Sequence, residues 1–236
     1  MFFFKKVKKI KLKTDIHSHL LPVDDGVKSF DESVEIIKKF ISLGYEKLII
    51  TPHVMFDGFN NKTSLILEKF EELKEILKEN NINIKLAVAA EYMLDEELMQ
   101  RLEKNDILSF GNNYLLFETS YYQKPLDFES MIFKIKLKGF TPVMAHPERY
   151  RYLETLDDFK QIKELGVLFQ SNINSFGGFY GKSVLKKAKL IAKNKMLDFL
   201  GSDCHSNRYI DFMSNVLKNN SFHKIIEGNN IKNNLI

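Results

Sequence analysis

Residues 47–53 read KLIITPH, a short run rich in aliphatic residues that stops at a proline and a histidine. A continuous apolar run of this length is typical of a strand that is buried on both faces of a parallel sheet. Other stretches of the chain share this composition. Together the β-rich stretches are KIKLKTDI (9–16), EKLIITPH (46–53), IKLAVAAE (84–91), NYLLFETS (113–120), FTPVMAH (140–146), GVLFQSN (166–172) and MLDFLGSD (196–203).

Longer stretches with helical periodicity separate the β-rich ones. In the first of them, Ser29 is a good N-cap and Gly44 a good stop signal. The helical stretches include SFDESVEIIKKFISLG (29–44), SLILEKFEELKEILKEN (64–80), PLDFESMIFKIKLKG (125–139) and KSVLKKAKLIAKNK (182–195). Strands that alternate with helices predict an α/β fold whose parallel sheet is closed, or nearly closed, into a barrel. Because no Pro/Gly/Ser-rich linker divides the sequence, we expect a single domain over residues 1–236.

Ionisable residues mark the ends of the predicted strands. Six of the seven stretches finish at, or run directly into, the residues His17, His19, His53, Glu91, Glu118, His146, Asp203 and His205. The remaining stretch, 166–172, ends in the amides Gln170 and Asn172. Because the carboxyl ends of all strands lie on one face of a βα barrel, five of the six histidines should converge there with several carboxylates. His223 stands apart in a C-terminal helix, and we expect it to be a surface residue.

A metal centre is the simplest interpretation of this constellation. Several imidazoles and carboxylates buried without a counter-charge would cost several kcal/mol per ion, and divalent cations remove that penalty. Nitrogen and oxygen donors without a thiolate cluster favour Mn, Fe or Zn over softer metals. The donors are too many for one ion and suit two or three ions, as in phosphatases and nucleases.

Arg149 follows the strand end at His146 in the sequence AHPERYR (145–151). An arginine at this position can hold a phosphate group through two parallel hydrogen bonds. Alternatively, it pairs with Glu148 or another surface carboxylate. Arg151 and Arg208 are further candidates on the same face.

Cys204 is the single cysteine of the chain and lies in FLGSDCH (199–205). A cysteine phosphatase needs an arginine six residues beyond the nucleophile, but Ile210 stands there, and no glycine-rich anion loop follows. Alternation along the chain also turns Cys204 away from its neighbours Asp203 and His205. We therefore predict that Cys204 is not a nucleophile.

The overall charge argues against nucleic acid as a partner, because 35 Lys and Arg stand against 31 Asp and Glu. The opening MFFFKKVKKIKLKT is too short to span a bilayer. It either touches an anionic membrane surface peripherally or forms a first strand with a solvated edge. A single cysteine excludes an internal disulfide and fits a cytoplasmic location. The sequence gives no indication of the oligomeric state.

Six motifs in order, DIHSHLLPVDDG, TPH, the Glu of AAEYML, LLFETS, HPERY and GSDCH, resemble the PHP (polymerase and histidinol phosphatase) superfamily. More closely, they look like its bacterial tyrosine-protein phosphatase branch, the CpsB/YwqE type that regulates capsular and exopolysaccharide synthesis. The resemblance runs from about residue 15 to residue 205. HSHLLPVDDG is one residue shorter than the common family pattern. Superfamily relatives tolerate that spacing, so the resemblance still implies Asp25 as the ligand, with Asp24 as the alternative; the shape of this loop and any substrate contact in it stay open.

The resemblance implies a distorted (β/α)7 barrel with three divalent metal ions at the C-terminal ends of the strands, most often manganese, with iron or zinc as alternatives. By position, the first ion would take His17, His19, Glu91 and Asp203, the second Asp25, His53 and His205, and the third Glu91, Glu118 and His146. Arg149 matches the arginine expected to hold phosphate, and Asp203 or His205 is our choice for a general acid.

The implied activity is the hydrolysis of phosphotyrosine in a protein, most plausibly the tyrosine-rich tail of a bacterial tyrosine kinase at the inner face of the membrane. Two alternatives remain open from the residues: a histidinol-phosphate or other small-molecule phosphatase, and a non-catalytic binding module stabilised by metal. Aromatic residues in TSYYQKP and NSFGGFYG either flank a substrate ring or pack the barrel rim.

Overall fold

The computed structural model describes residues 9–236 as an α/β fold in which strands alternate with helices. The strands are β1 (Thr14–Asp15), β2 (Lys47–Ile50), β3 (His53–Val54), β4 (Lys85–Val88), β5 (Glu91–Met93), β6 (Tyr114–Glu118), β7 (Thr141–Ala145), β8 (Leu168–Asn172) and β9 (Phe199–Gly201). The helices are α1 (Phe30–Ser42), α2 (Thr63–Glu79), α3 (Glu96–Lys104), α4 (Phe128–Leu137), α5 (Leu156–Glu164), α6 (Lys182–Lys193), α7 (Asn207–Lys218) and α8 (Asn220–Ile226). The prediction of strands followed by helices is confirmed.

Every ladder between these strands is parallel, and the sheet is curled. The strands form two groups, in the orders β1-β2-β4 and β3-β5-β6-β7-β8-β9. Two predicted strands are each broken in two, so the seven β-rich stretches appear as nine strands. Between β2 and β3, Pro52 has no N–H to extend the ladder, and the N–H of Thr51 donates to Ser18. Between β4 and β5, the N–H of Ala90 donates to Leu108.

The first and last β-rich stretches are joined by hydrogen bonds. The carboxylate of Asp15 accepts from the backbone N–H and the hydroxyl of Ser202, both at 2.8 Å. Further along, Asp203 N donates to His17 O at 2.9 Å, and His19 N donates to Cys204 O at 3.0 Å. These bonds hold His17 and Asp203 beside each other although 186 positions separate them in the chain.

Helix boundaries follow local capping chemistry. The Ser29 side chain accepts from Glu32 N at the start of α1, and Gly44 follows the helix with a φ of 90° that favours glycine. Helices α3 and α5 are short and are not among the helical stretches predicted from the sequence. Asp95 caps α3, and a capping box between Thr155 and Asp158 begins α5.

The surface position predicted for His223 is wrong. The residue lies in α8 but is only 2% exposed. Its Nδ1 accepts from Ile10 N at 3.2 Å, and its Nε2 donates to Leu217 O at 2.8 Å. Because both ring nitrogens are bonded, His223 fastens the C-terminal helices to the segment before β1.

The prediction for the N-terminal segment concerns residues 1–8 in large part, and these lie outside the described residues. Among residues 9–236, no helix is both long and apolar enough to cross a membrane.

Candidate metal centre

The structure brings the nine predicted ligands together at the carboxyl ends of the strands. Seven of the nine are buried, whereas Asp25 is exposed and His205 is partly exposed. The strands and the turns after them supply His17, His19, His53, Glu91, Glu118, His146, Asp203 and His205, and the loop before α1 supplies Asp25. A curled parallel sheet creates this convergence, because each strand delivers its last residues to the same face.

Possible ligand atoms form overlapping groups whose members all lie within 4.8 Å of one another. The groups are His19, Asp25, His53 and His205; His17, Glu91 and His146; His17, His19 and Asp203; and His53, Glu91 and Glu118. Glu91 is central. Its carboxylate lies 3.2 Å from His17 Nε2, 3.1 Å from His53 Nδ1 and 3.0 Å from His146 Nε2.

Asp24 and Asp25, which the sequence left as alternatives, have different surroundings. Asp25 Oδ1 lies 3.4 Å from His53 Nε2 and 3.3 Å from His205 Nε2. Asp24 instead accepts from His19 Nδ1 at 2.8 Å and from His53 N at 3.0 Å. Asp24 is thus placed to orient His19, and Asp25 is placed among the ligands.

Three of the histidines have an acceptor on Nδ1, which leaves Nε2 directed into the cluster. Besides the bond from His19 to Asp24, His17 Nδ1 lies 2.7 Å from Gln170 Oε1 and His205 Nδ1 lies 2.9 Å from the backbone oxygen of Asp203. An acceptor of this kind is the usual outer partner of a metal-ligating histidine, because it fixes the ring and its tautomer.

Arg149 is fixed at the edge of the cluster. Its Nη1 donates to Asp203 Oδ2 at 3.0 Å, and its guanidinium lies 4.6 Å from the ring centres of both Tyr121 and Tyr180. The alternative pairing with Glu148 is wrong, because that buried carboxylate accepts from backbone and hydroxyl donors instead. The Arg149 side chain remains 23% exposed, so it can still reach a group from solvent.

The charges in the cluster draw positive charge onto the imidazoles. Burial would lower the pKa of His17, but Glu91 and Asp203 raise it above its ordinary value. Burial and His19 oppose protonation of His53, yet Glu91 and neighbouring carboxylates raise its pKa to about 10. Burial would raise the pKa of Glu91, but the nearby histidines hold it well below the usual range. The same field would attract divalent cations, which displace such protons.

The donor set fits metal ions. His53 Nδ1 and Glu91 Oε2 are buried and 3.1 Å apart, but neither has a hydrogen-bond partner among the described residues. A cation between such atoms would satisfy both. The thiol is not part of the set, because Cys204 is fully buried and its Sγ donates to Ser206 O. Burial also raises the pKa of Cys204, as expected for a residue that is not a nucleophile.

Two of the candidate ligands have strained backbones. His146 and Asp203 have φ angles of 35° and 49°, in the left-handed region that residues with a Cβ rarely adopt. Strain of this kind is concentrated at functional sites. The turn at His146 leads directly into the 3-10 helix Pro147–Arg149, so it also positions Arg149.

The sequence does not reveal the residues that orient the ligands. It offers Asp24 only as an alternative ligand, and it marks Gln170 and Asn172 only as the amides that end the 166–172 stretch. It also leaves the use of the loop aromatics open, whereas Tyr121 and Tyr180 enclose the guanidinium of Arg149. Tyrosines on separate loops give no periodic signal that would reveal such a contact.

Fold and cluster together define an α/β protein with a curled parallel sheet and a candidate metal centre at its carboxyl edge. The chain belongs to the CpsB/CapC family, because the family model for capsular polysaccharide synthesis, CpsB/CapC, matches residues 13–211. The resemblance seen in the sequence is therefore confirmed.

Individual relatives agree with this assignment. The tyrosine-protein phosphatase CpsB of Streptococcus pneumoniae is 30% identical over 202 residues, which cover 81% of this chain and 82% of that protein. A solved chain from the crystal structures of YwqE from Bacillus subtilis and CpsB from Streptococcus pneumoniae matches with a TM-score of 0.82 at 27% identity. The match covers 91% of this chain and 88% of the solved one, and those two proteins are described as unique metal-dependent tyrosine phosphatases. A histidinol phosphate phosphatase from Lactococcus lactis, solved with zinc, L-histidinol and phosphate, has a TM-score of 0.51 at 15% identity over 92% of this chain and 95% of that one, which indicates a shared fold only.

Proposed function

We propose that this protein is a metal-dependent protein-tyrosine phosphatase that acts in capsular or exopolysaccharide synthesis. The observation that carries the proposal is the cluster of nine nitrogen- and oxygen-bearing side chains beside Arg149. CpsB of Streptococcus pneumoniae is a tyrosine-protein phosphatase, and the structures of YwqE and CpsB, which match with a TM-score of 0.82, are described as metal-dependent tyrosine phosphatases.

We propose that the site binds three divalent ions, with manganese as the expected metal and iron or zinc as alternatives. The first would be held by His17, His19, Glu91 and Asp203, the second by Asp25, His53 and His205, and the third by Glu91, Glu118 and His146. Asp25, His53 and His205 lie together in one of the groups described above, and His17, His19 and Asp203 form another. Glu91 shares one group with Glu118 and a different one with His146, and these groupings support the assignment. When bound, divalent ions of this kind activate water as a nucleophile and neutralise charge on a phosphoryl group.

The remaining roles belong to residues of the chain. Arg149 would bind the phosphoryl oxygens, because its guanidinium is held rigidly by two tyrosine rings and one carboxylate. Asp203 is occupied by Arg149 and the histidines, and its pKa is held well below normal by His17 although burial opposes this. His205 is more exposed than Asp203. A His205 that holds the second ion through Nε2 cannot also donate a proton from that nitrogen, so we propose the ligand role for it. A phenolate leaving group, with a pKa near ~10, needs little help from an acid.

We further propose a distorted (β/α)7 barrel of the PHP type that forms one domain over residues 1–236. The hydrogen bonds between the 9–16 and 196–203 stretches support closure. As substrate we propose a phosphotyrosine protein, such as the tail of a bacterial tyrosine kinase, in the cytoplasm. The phosphotyrosine activity of the relatives supports this choice over a small alkyl phosphate.

The test is phosphate release from a phosphotyrosine peptide with added Mn²⁺, with and without EDTA, beside histidinol phosphate. We expect activity that EDTA abolishes and that favours the peptide. His17→Ala should remove it, whereas His223→Gln, at a buried histidine outside the cluster, should retain it. Activity on histidinol phosphate alone would overturn the substrate, and no activity on either would favour a metal-stabilised binding module.

A further inference from the structure

Strand β8 departs from the pattern of the predicted β-rich stretches, since it ends in the amides Gln170 and Asn172, whereas the other stretches finish at, or run directly into, ionisable residues. Both amides are fully buried within the curled sheet. Buried amides at this position need a reason, because each brings several donors and acceptors that must be bonded.

The two amides link one candidate ligand to another through a chain of hydrogen bonds. Asn172 Nδ2 donates to Asp203 Oδ2 at 2.6 Å, and Gln170 Nε2 donates to Asn172 Oδ1 at 2.9 Å. Gln170 Oε1 then lies 2.7 Å from His17 Nδ1. The chain therefore runs from Asp203 through both amides to His17.

The direction of this chain is fixed at its Asp203 end. Asp203 Oδ2 also accepts from Arg149 Nη1 at 3.0 Å, so it is an acceptor and Asn172 must present its NH₂ group. Asn172 therefore presents its oxygen to Gln170, and Gln170 must present its own NH₂ to Asn172. The oxygen of Gln170 is then left facing His17. Because a carbonyl oxygen only accepts, His17 Nδ1 must carry the hydrogen.

We propose that Gln170 and Asn172 form an amide relay that positions His17 and Asp203 for metal binding. With the hydrogen on Nδ1, Nε2 of His17 is the ring nitrogen left for a metal ion, and it is directed at the cluster, where it lies 3.2 Å from Glu91 Oε2 and 3.5 Å from Asp203 Oδ1. Both amides are positioning residues, since they contact the ligands and not a reacting group. This inference rests on the metal centre of the proposed function.

Gly201 provides an independent sign that the fold reserves space for the relay. A Cβ atom at this position of β9 would lie 2.6 Å from Gln170 Nε2 and 2.8 Å from His17 Cβ. Real side chains do not tolerate such distances, so any larger residue would push Gln170 and His17 apart. The glycine of the GSD motif therefore leaves room on β9 for the side chain of Gln170 to reach from β8 to His17, just after β1.

The relay consists of neutral amides, and this fits its position beside two buried carboxylates. His19 is oriented by the carboxylate of Asp24, whereas His17 already lies beside two carboxylates, Glu91 and Asp203. A third carboxylate there would add like-charge repulsion in a fully buried position. An amide supplies the acceptor for His17 without that charge.

The relay is tested without measuring turnover, by calorimetric titration with Zn²⁺ alone and by ¹⁵N NMR of histidine-labelled, Zn²⁺-loaded protein. For the unaltered chain we expect His17 to show a protonated Nδ1 and a metal-bound Nε2. Gln170→Leu should weaken Zn²⁺ binding by about 10- to 100-fold, as removal of an outer partner does at other metal sites. Gln170→Glu, which keeps an acceptor for His17, should keep the Nδ1–H resonance.

Asn233→Leu is the matched control. Asn233 is also a buried amide, but its side chain forms hydrogen bonds with the backbones of Thr14 in β1 and Leu200 in β9 and with no candidate ligand. Its replacement should lower stability and leave Zn²⁺ affinity unchanged. The proposal is overturned if Nδ1 of His17 lacks a proton in the loaded, unaltered protein, or if Gln170→Leu binds Zn²⁺ normally. Intact Zn²⁺ binding and an intact resonance without phosphatase activity would overturn only the proposed function.

Discussion

At the scale of single residues, Arg149 has the most defined surroundings of any candidate outside the ligand set. The two tyrosine rings and Asp203 restrain its guanidinium before any substrate arrives. Such restraint reduces the entropy lost when a phosphate is bound.

Arg149→Lys should therefore reduce kcat/KM for a phosphotyrosine peptide. A lysine cannot make two parallel bonds, and loss of a charge-assisted hydrogen bond costs about 1.5–3 kcal/mol, which corresponds to a fall of about 10- to 100-fold. Steady-state kinetics with Mn²⁺ measure this. Arg151→Lys is the control, because Arg151 stacks on the exposed Tyr122. Equal losses in both variants would contradict a specific role for Arg149.

Cys204→Ser should leave turnover nearly intact. The thiol is buried, its pKa is raised by burial, and its Sγ is directed at Ser206 O. Measurement of kcat for the variant, and of inactivation of the unaltered chain by iodoacetamide, checks this. An inactive Cys204→Ser variant, together with activity of the unaltered chain that survives EDTA, would contradict the metal mechanism.

At the scale of elements, the loop between β1 and α1 is organised around Asp24. Its carboxylate joins His19, Gly26 and His53 through hydrogen bonds of 2.8, 2.9 and 3.0 Å. A Cβ at Gly26 would approach His19 O to 2.3 Å, so the glycine lets the loop close over the histidine.

The metal-free protein should lose stability in acid partly through Asp24. Burial would raise its pKa, but His19 and the hydrogen bonds lower it from 3.8 to about 2. Because the folded pKa is the lower one, this stabilisation is present above pH 3.8 and disappears as the pH falls towards 2; it amounts to about 2 kcal/mol. Urea unfolding between pH 2 and 6 should show a shallower acid slope for Asp24→Asn than for the exposed control Asp157→Asn. Equal slopes would contradict the assignment.

Helix α6 holds the turn that carries Arg149. Lys187 is buried in that helix, burial lowers its pKa, and its Nζ donates to Tyr150 O. Lys187→Met should leave this carbonyl unbonded and reduce the free energy of unfolding by about 1–3 kcal/mol. Urea unfolding measures the loss, with the exposed neighbour Lys186→Met as control. Unchanged stability in Lys187→Met would show that the turn is held by other contacts.

At the scale of the whole molecule, the candidate ligands tie together strands from both groups of the sheet. Metal binding should therefore stabilise the entire fold, since the unfolded chain lacks the preformed site. At 100 times the dissociation constant the gain is about 2.7 kcal/mol, or roughly 5–10 °C in Tm for a chain of this size.

Mn²⁺ or Zn²⁺ should thus raise the Tm of EDTA-treated protein. Glu91→Gln should lose most of the shift, because Glu91 touches three histidines of the cluster. His223→Gln should keep it. Calorimetric melting of the three proteins checks this, and a full shift in Glu91→Gln would argue against ions at the centre of the cluster.

The parallel α/β fold and most of the candidate site could be predicted from the sequence. Aliphatic runs that end in His, Asp or Glu contain both the strand and its functional terminus, and the carboxyl ends of parallel strands must meet on one face. His17, His53, Glu91 and His146 could therefore be placed together without coordinates. Local chemistry likewise fixed the start of α1 at Ser29.

The residues that orient the site could not be predicted in this way, because their contacts form only in the folded chain. Asp24 and Asp25 are adjacent and chemically identical, and only the folded loop turns one towards His19 and the other towards His53 and His205. His223 is buried because segments more than 200 residues apart meet around it. The contact between Gln170 and His17 spans 153 positions. Such contacts depend on how strands stack around the sheet, and no periodicity along the chain encodes them.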